Sequence, residues 1–349
     1  MGRDILSVRQ MMVLLLVALL APVTDLLPSV VARQVGRGGW LAAPLVLPML
    51  LFALWLCSKV FCDHDLCVQV GKPVGYTIII IYLVWIVFVL SLVFCFSAAR
   101  MEMIYRRVPP AFFAVGVAAV AAWMGRGKAA ALARGAEVCY LALAVVLAGV
   151  LLMALFRAEW RNLYPVEWSS IPGGSMSIAG VLLNVVPVAV LGIRVPKETR
   201  RKGRVLGWAV AFCVVIALVL IAVLGTVGSR LCARLDTPYL IMVQGLGVKG
   251  AFQRLEAPVA AIWLLSDLIL SGALLRAGND YMTVLVSERW GRRIVPAIAL
   301  AAVVIGWLLF LNDKTFRAFS VEILPATGIA LGLIIPLLLQ LISCIRKRK

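Results

Sequence analysis

Charged residues are scarce in this sequence. Lys, Arg, Asp and Glu make up 14% of its 349 residues, against about 25% in a typical soluble domain. Hydrophobic residues make up 63%, and many apolar runs reach roughly 20 residues, the length that crosses a bilayer core. A soluble fold is therefore excluded. The composition predicts an all-α polytopic membrane protein that lies in a lipid bilayer, with only a small aqueous part.

Side chains suited to catalysis are also scarce. The single histidine, His64, lies on a predicted loop, and the chain has no H-E-x-x-H, phosphate-binding-loop or G-x-S-x-G motif. Hydrolysis, metalloproteolysis and ATP-driven pumping therefore have little support. A serine acting with Asp267 would lack a base to activate it. We expect neither an enzyme nor a cofactor.

The eight cysteines are not expected to form a set of disulfides. Several of them lie within apolar runs, where thiols behave as small apolar groups. The segment "CSKVFCDHDLC" brings together Cys57, Cys62, His64 and Cys67. These residue types can ligate zinc. Their spacing matches no zinc-site pattern, so we expect loop thiols and no metal.

Apolar runs between charged or Gly/Pro-rich breaks predict about ten transmembrane helices in a single membrane domain, 1–349. A cleaved signal peptide is the alternative for the first run, but that run continues to Ala32 without a clear cleavage site. The predicted spans are approximately 8–32, 40–60, 74–99, 108–124, 135–156, 174–193, 205–228, 256–277, 293–311 and 321–344.

The net charge of +18 comes from Lys and Arg in short loops rather than from one patch, so nucleic acid is not an expected partner. With the N-terminus in the cytoplasm, 21 of the 34 basic residues fall on the cytoplasmic side. Such an excess is typical of cytoplasmic loops. We therefore expect both termini in the cytoplasm.

The first span is interrupted near its middle by "ALLAPVTDLLPSV", residues 18–30. Pro22 removes a backbone donor and crowds the preceding turn, and an acidic residue at membrane depth needs a partner or a polar cavity. The stretch predicts an opened helix that presents Pro22, Val23, Thr24 and Asp25 to a ligand. The alternative is a proline kink with Asp25 near the outer mouth, paired with a loop arginine.

The sixth span, "IPGGSMSIAGVLLNVVPVAVLGIR", has a corresponding interruption, with Ser177, Gly180 and Asn184 as candidate ligand contacts. Ten spans divide into two sets of five, about 8–156 and 174–344, and each set begins with an interrupted helix. Because five is odd, the second set enters the membrane from the opposite side. This is the inverted-repeat arrangement whose broken helices meet at the midplane and bind a solute.

Asp267 lies at the centre of the eighth span, where a charge costs a few kcal/mol on insertion scales. It is a possible proton or cation site, or it pairs with a hydroxyl or carbonyl and locks helices together. Glu137 follows Arg134 by three residues at the start of the fifth span. We expect an interfacial salt bridge between these two.

Several short segments resemble the B-subunit family of spore germinant receptors: "LSVRQ", "GRGGW", "GRGKAAALARGAEV" and "RLDTPYLIMVQGLGVKGAFQRLEAPVAAIW". They follow in order over nearly the whole chain. The family is similar to permeases of the amino acid–polyamine–cation superfamily. The resemblance thus implies a LeuT-like 5+5 inverted repeat with ten helices and broken helices 1 and 6.

The resemblance further implies a nutrient-sensing subunit in the inner spore membrane that binds a small molecule, such as an amino acid, and signals with A and C partner subunits. The chain departs from the family at Gly38 and at Gly180, where family members carry acidic residues. These departures leave the class of ligand open, because a carboxylate that would contact an ammonium group is missing. Asp267 is not a position associated with the family.

A zwitterionic amino acid is the ligand that we expect between the broken helices. Its carboxylate would accept N–H groups freed in the first helix, and its ammonium group would bind carbonyls with Asn184 or Thr24. The outer segment 235–254 would close over it as a lid. The alternative function is a proton-coupled amino acid permease that uses Asp267 or Asp25.

Overall fold

The computed structural model describes residues 4–61, 67, 70–105, 107–196, 202–246, 255–310 and 319–348. Within these ranges the regular structure is helical and no strand occurs. Seven helices are long and apolar enough to cross a membrane, and two bent helix pairs pass the same test together. Pro110–Arg126 is apolar but shorter, with 17 residues. The all-α polytopic fold predicted from the sequence is confirmed.

Within the described ranges, the seven long helices, the two bent pairs and Pro110–Arg126 are numbered along the chain as helices 1 to 10. Helices 1 and 6 are the bent pairs. The bounds of helices 1 to 10 are Val8–Ala18 with Pro22–Gln34, Gly36–Val60, Lys72–Ile104, Pro110–Arg126, Ala129–Arg157, Trp168–Leu183 with Val186–Arg194, Lys202–Val227, Glu256–Leu285, Glu288–Phe310 and Phe319–Ile345.

Each predicted span corresponds to one of these helices, and the main differences are at helix ends. Helix 3 continues to Ile104, although its predicted span ends at 99. The segment after residue 99, "RMEMI", consists mainly of good helix formers. The charge of Arg100 therefore does not end the helix. Helix 8 likewise runs on to Leu285, beyond its predicted end at 277.

Helix 1 bends by 40° between its halves, and a hydroxyl from helix 8 inserts at the bend. The side chain of Ser266 accepts a hydrogen bond from the amide of Ala21 at 2.9 Å and donates to the carbonyl of Val17 at 2.7 Å. These two backbone groups would bond each other in a regular α-helix. Such an insertion bends a helix, and Pro22 follows at the start of a π-helical turn, Pro22–Leu26.

Replacing Ser266 with alanine is expected to destabilise the chain by about 1–3 kcal/mol, because a buried N–H and a buried carbonyl lose their shared partner. Ser271 provides a matched control on the same helix, since its buried hydroxyl has no partner among the described residues. Denaturation by SDS in mixed micelles should place Ser271→Ala near the wild type. Equal losses for the two variants would contradict this account of the bend.

Helix 6 bends by 52° between Leu183 and Val186. Asn184 ends the first half, and its amide Nδ2 donates to the carbonyl of Gly180 at 2.8 Å. The second half, Val186–Arg194, is a 3-10 helix with Pro187 in its first turn. Proline lacks the N–H that a continuous helix needs. The first and sixth helices are therefore interrupted, as predicted, while the repeat boundaries 8–156 and 174–344 stay a prediction.

Helices 6 and 10 pack backbone against backbone at two glycines. A Cβ on Gly180 would overlap the carbonyl oxygen of Pro325, and a Cβ on Gly328 would overlap the carbonyl oxygen of Gly180. The amide of Asn184 also donates across this contact, to the carbonyl of Leu324 at 3.0 Å. The contact fixes the first half of helix 6 against helix 10.

Candidate functional site

A small cavity of about 50 Å³ lies where helices 1, 3, 6, 8 and 10 meet. Its polar and charged lining residues are Asp25, Arg100, Asn184 and Asp267, and its other walls are apolar. A few polar groups converging in an apolar cavity are typical of a small-molecule site. We call this cavity the chamber.

An arginine holds two carboxylates together beside the chamber. Nη2 of Arg100 donates to Oδ2 of Asp267 at 2.6 Å, and Nη1 lies 3.4 Å from Oδ2 of Asp25. All three residues are almost fully buried. Charges at such depth persist only when they are paired and hydrogen-bonded. Helices 1, 3 and 8 are therefore joined by one buried charge cluster.

Trp263 of helix 8 connects this cluster with the bend of helix 1. Its ring lies under the Arg100 guanidinium, with the guanidinium carbon 5.4 Å from the ring centroid, which is cation–π range. Its Nε1 donates to the hydroxyl of Thr24 at 2.9 Å, and that hydroxyl donates to the carbonyl of Leu20 at 2.9 Å. The hydroxyl of Thr24 is thus already occupied within the protein.

Two buried acceptors at the chamber have no partner among the described residues: Oδ1 of Asp25 and Oδ1 of Asn184. Both residues are at most 4% exposed. Buried polar atoms in folded proteins are almost always hydrogen-bonded. Unpartnered acceptors that line a cavity therefore indicate a ligand, water or proton that supplies the missing donors.

The structure brings part of the predicted site together. Pro22, Asp25, Asn184 and Asp267 all line the chamber. The other predicted contacts are buried but are not among its lining residues, and they are Val23, Thr24, Ser177 and Gly180.

The alternative prediction, in which Asp25 pairs with a loop arginine, is wrong. The arginine beside Asp25 is Arg100, which belongs to helix 3. The predicted third span ends at residue 99, which leaves Arg100 outside the membrane. One signal was available, since two carboxylates at membrane depth require a cation. Arg100 follows the apolar run of the third span with no helix breaker between them.

A second charged cluster lies at the end of the bundle that holds the N-terminus. Arg194, at the end of helix 6, makes a bidentate pair with Asp280 of helix 8 at 2.7 and 2.9 Å. Its Nε lies 3.1 Å from Asp4, and Arg276 donates to Asp280 at 2.9 Å. Asp4 also accepts the amides of Ala129 and Ala130 at the start of helix 5. The cluster joins the N-terminal segment to helices 5, 6 and 8.

Asp4→Asn is expected to release the N-terminal segment at neutral pH. Burial by itself raises the pKa of the Asp4 carboxyl, but the amide of Ala130 and the charge of Arg194 outweigh it, so the pKa lies below 3.8. The stabilisation that these contacts give is therefore complete above the ordinary carboxyl pKa of 3.8. It is lost as the pH falls through the lower pKa that Asp4 has in the folded chain. Asparagine imitates that protonated state.

Hydrogen–deuterium exchange of residues 4–10 should therefore rise in Asp4→Asn. Glu159→Gln is the control, because Glu159 is more than half exposed and its partner Arg161 is mostly exposed, and surface ion pairs contribute little. Unchanged exchange in Asp4→Asn would contradict the anchoring role.

Two other predictions concern the ends of the bundle. Glu137 pairs with Arg9 at 3.4 Å and accepts a hydrogen bond from Gln10, so the predicted salt bridge between Arg134 and Glu137 is wrong.

The predicted lid, 235–254, is described only in part. It contains the helix Pro238–Leu246, and the ring of Tyr239 contacts that of Trp263, with centroids 6.2 Å apart. Residues 247–254 lie outside the described residues.

The cysteine segment is described only in part. Cys57 is buried, whereas Cys62 and His64 lie outside the described residues. Among the residues that are described, no group of three His, Cys, Asp or Glu side chains is placed to hold a metal ion. The role of this segment stays a prediction.

A larger cavity of about 360 Å³ lies between helices 1, 5 and 7. Its lining is apolar apart from the rings of Tyr140 and Trp208, and it contains no charged side chain. It offers a polar solute no charged group to pair with. The chamber is therefore the better candidate site, although it is smaller.

No protein-family model matches the sequence, and comparison with curated proteins found no relative. Solved structures match over most of the chain. The structure of MhsT in complex with L-phenylalanine aligns with 95% of this chain and 89% of its own, at a TM-score of 0.66 and 14% identity. A substrate-bound, outward-open Na⁺-coupled sialic acid symporter aligns with 92% of this chain and 77% of its own, at a TM-score of 0.58 and 9% identity. This chain therefore has the fold of the LeuT-like transporters.

Proposed function

We propose that this chain binds a small nutrient that carries an amino group, an amino acid or a derivative, in the mid-membrane chamber. One observation carries the proposal. The bends of helices 1 and 6 meet at a buried cavity where Asp25 and Asn184 each present an unpartnered acceptor. Bent helices that meet at the midplane are the usual solute site of inverted-repeat transporters.

The fold supports the class of ligand. Two solved proteins with this fold are an L-phenylalanine complex and a sialic acid symporter. Phenylalanine and sialic acid are both small polar solutes, and an amino acid is the ligand that the resemblance to germinant receptor B subunits implies. The chamber offers an amino group two oxygen acceptors and apolar walls.

The proposed role is sensing, in the inner spore membrane with both termini cytoplasmic and with A and C receptor subunits as partners. This finer role rests on the resemblance in sequence. A ligand shifts a conformational equilibrium only through its different affinities for the two states. Partner subunits would detect the shift, and no net transport is needed.

Proton-coupled transport by this chain alone is the second candidate, and the two charge clusters favour it. One cluster holds Asp25 and Asp267 beside the chamber, and the other joins helices 6 and 8 near the N-terminus through Arg194 and Asp280. Breaking and remaking the second cluster would open and close that end of the bundle. Alternating access requires such a change.

Two experiments separate sensor from carrier. Solute uptake into vesicles that contain only this chain would favour the carrier. Exchange of this chain between two receptors of different nutrient preference tests the sensor, which predicts that preference follows the exchanged chain. An unchanged preference in a functional receptor would contradict a ligand-binding role in sensing.

Asn184→Leu is expected to abolish the nutrient response while the amount of protein stays normal, because the leucine removes Oδ1 and fills the chamber. Val145→Leu is the matched control, since Val145 is 64% exposed on helix 5 and does not line the chamber. The dose response to nutrient is the measurement. An unchanged dose response in Asn184→Leu would contradict the placement of the site.

A further inference from the structure

The charges around the chamber do not balance. Its charged lining residues are two carboxylates, Asp25 and Asp267, and one guanidinium, Arg100. With all three ionised, the cluster carries a formal charge of −1. A buried excess charge is costly unless something neutralises it.

Each of the three side-chain nitrogens of Arg100 already faces an acceptor of the protein. Its Nη2 bonds Asp267, its Nη1 faces Asp25, and its Nε donates to the carbonyl of Phe96 at 3.1 Å. One face of the guanidinium covers Trp263. A ligand carboxylate would have to compete with two aspartates for this cation. The chamber therefore lacks a spare positive group for the acid end of a zwitterion.

The free polar groups are both acceptors. The orientation of the Asn184 amide is fixed by carbonyls, since Nδ2 lies 2.8 Å from the Gly180 oxygen and 3.0 Å from the Leu324 oxygen. Its Oδ1 therefore remains the unpartnered atom, together with Oδ1 of Asp25. A matching ligand must supply hydrogen-bond donors, and an ammonium group supplies three.

We infer, on the basis of the proposed function, that the ligand carries a net positive charge: a primary ammonium group on a short apolar body, without a free carboxylate. The ammonium group lies between Asp25 and Asn184 and neutralises the cluster. The apolar body packs against the aliphatic and aromatic walls of the chamber, among them Leu92, Phe96 and Leu270.

Calorimetric titration of the full chain in lipid nanodiscs tests this inference with four compounds. All four carry an isopropyl group and differ in their charged groups. Isobutylamine and L-valinamide are cations, L-valine is a zwitterion and isovalerate is an anion. Sodium concentration and pH are held constant. We expect both cations to bind at least about tenfold more tightly than L-valine, a difference of about 1.4 kcal/mol, and isovalerate not to bind.

Asp25→Asn should weaken binding of isobutylamine at least about tenfold, whereas Glu102→Gln, which removes an exposed carboxylate from helix 3, should not. Unchanged binding in a folded Asp25→Asn variant would overturn the inference and favour a protonated Asp25. The wild-type comparison decides the question even if Asp25→Asn does not fold.

The outcomes separate the inference from the function on which it rests. L-Valine binding as tightly as isobutylamine, or more tightly, would overturn the inference and leave the proposed function standing. If none of the four compounds bound to folded protein, the inference would be overturned, and the exchange of this chain between two receptors would decide the proposed function by itself.

Discussion

Arg100→Gln is expected to destabilise the folded chain by about 3–5 kcal/mol, the cost of leaving a buried charge without its partner. The substitution strands the carboxylates of Asp25 and Asp267, both of which are at most 2% exposed. It also removes the cation that covers Trp263. Denaturation by SDS in mixed micelles, with helical circular dichroism as the signal, measures the loss.

The matched rescue replaces all three charges at once. Asp25→Asn and Asp267→Asn in the Arg100→Gln background remove both stranded carboxylates, and the three neutral amides can hydrogen-bond one another in place of the ion pairs. This triple variant should recover most of the stability. It should not recover ligand binding, because Asp25 is the proposed ammonium contact. A triple variant as unstable as Arg100→Gln would show that the charges are not coupled.

Gly328→Ala is expected to cost about 1–3 kcal/mol, as overpacking does in tightly packed cores, and to weaken ligand binding. The new Cβ would meet the carbonyl oxygen of Gly180 and lie 2.7 Å from Nδ2 of Asn184. Backbone atoms cannot move aside as a flexible side chain can. Helix 10 must therefore shift away from helix 6 and carry the Asn184 environment with it.

Gly149→Ala is the control for this substitution. Gly149 lies inside helix 5, and a Cβ there would meet nothing within 4 Å. Alanine is the better helix former, by up to about 1 kcal/mol, so the control should be neutral or slightly stabilising in the same denaturation. A Gly328→Ala variant as stable as Gly149→Ala would contradict the close approach of helices 6 and 10.

Much of the fold could be predicted because its determinants are local in the sequence. Long apolar runs fix the helices, and the breakers near Pro22 and Pro187 lie where helices 1 and 6 bend. The form of the first bend could not be predicted. Helix 1 is not unwound there but passes through a π-helical turn, because the Ser266 hydroxyl bridges Val17 and Ala21. That bridge spans 245 positions of the chain.

The site could be predicted only in part, for the same reason. Asp25, Asn184 and Asp267 stand out as polar residues within apolar runs. Arg100 lies at the border of such a run, so hydropathy assigned it to a loop. Gly180 is a predicted ligand contact because it belongs to the interrupted sixth span, whereas in the structure it packs against helix 10. Only the packing of helices 3 and 10 shows which side each of these residues faces.

Thiol labelling at Val93 tests the central claim, a mid-membrane chamber with excess negative charge. Val93 lines the chamber. In a cysteine-free background, Val93→Cys is treated with a cationic aminoethyl or an anionic sulfonatoethyl methanethiosulfonate. The control is Ser169→Cys, an exposed position at the start of helix 6.

A negatively charged cleft raises the local concentration of cations about tenfold or more. We therefore expect the cation to label Val93→Cys at least about tenfold faster than the anion, with no such preference at Ser169→Cys. Equal rates for the two reagents at Val93→Cys, or no labelling there by either, would contradict the central claim.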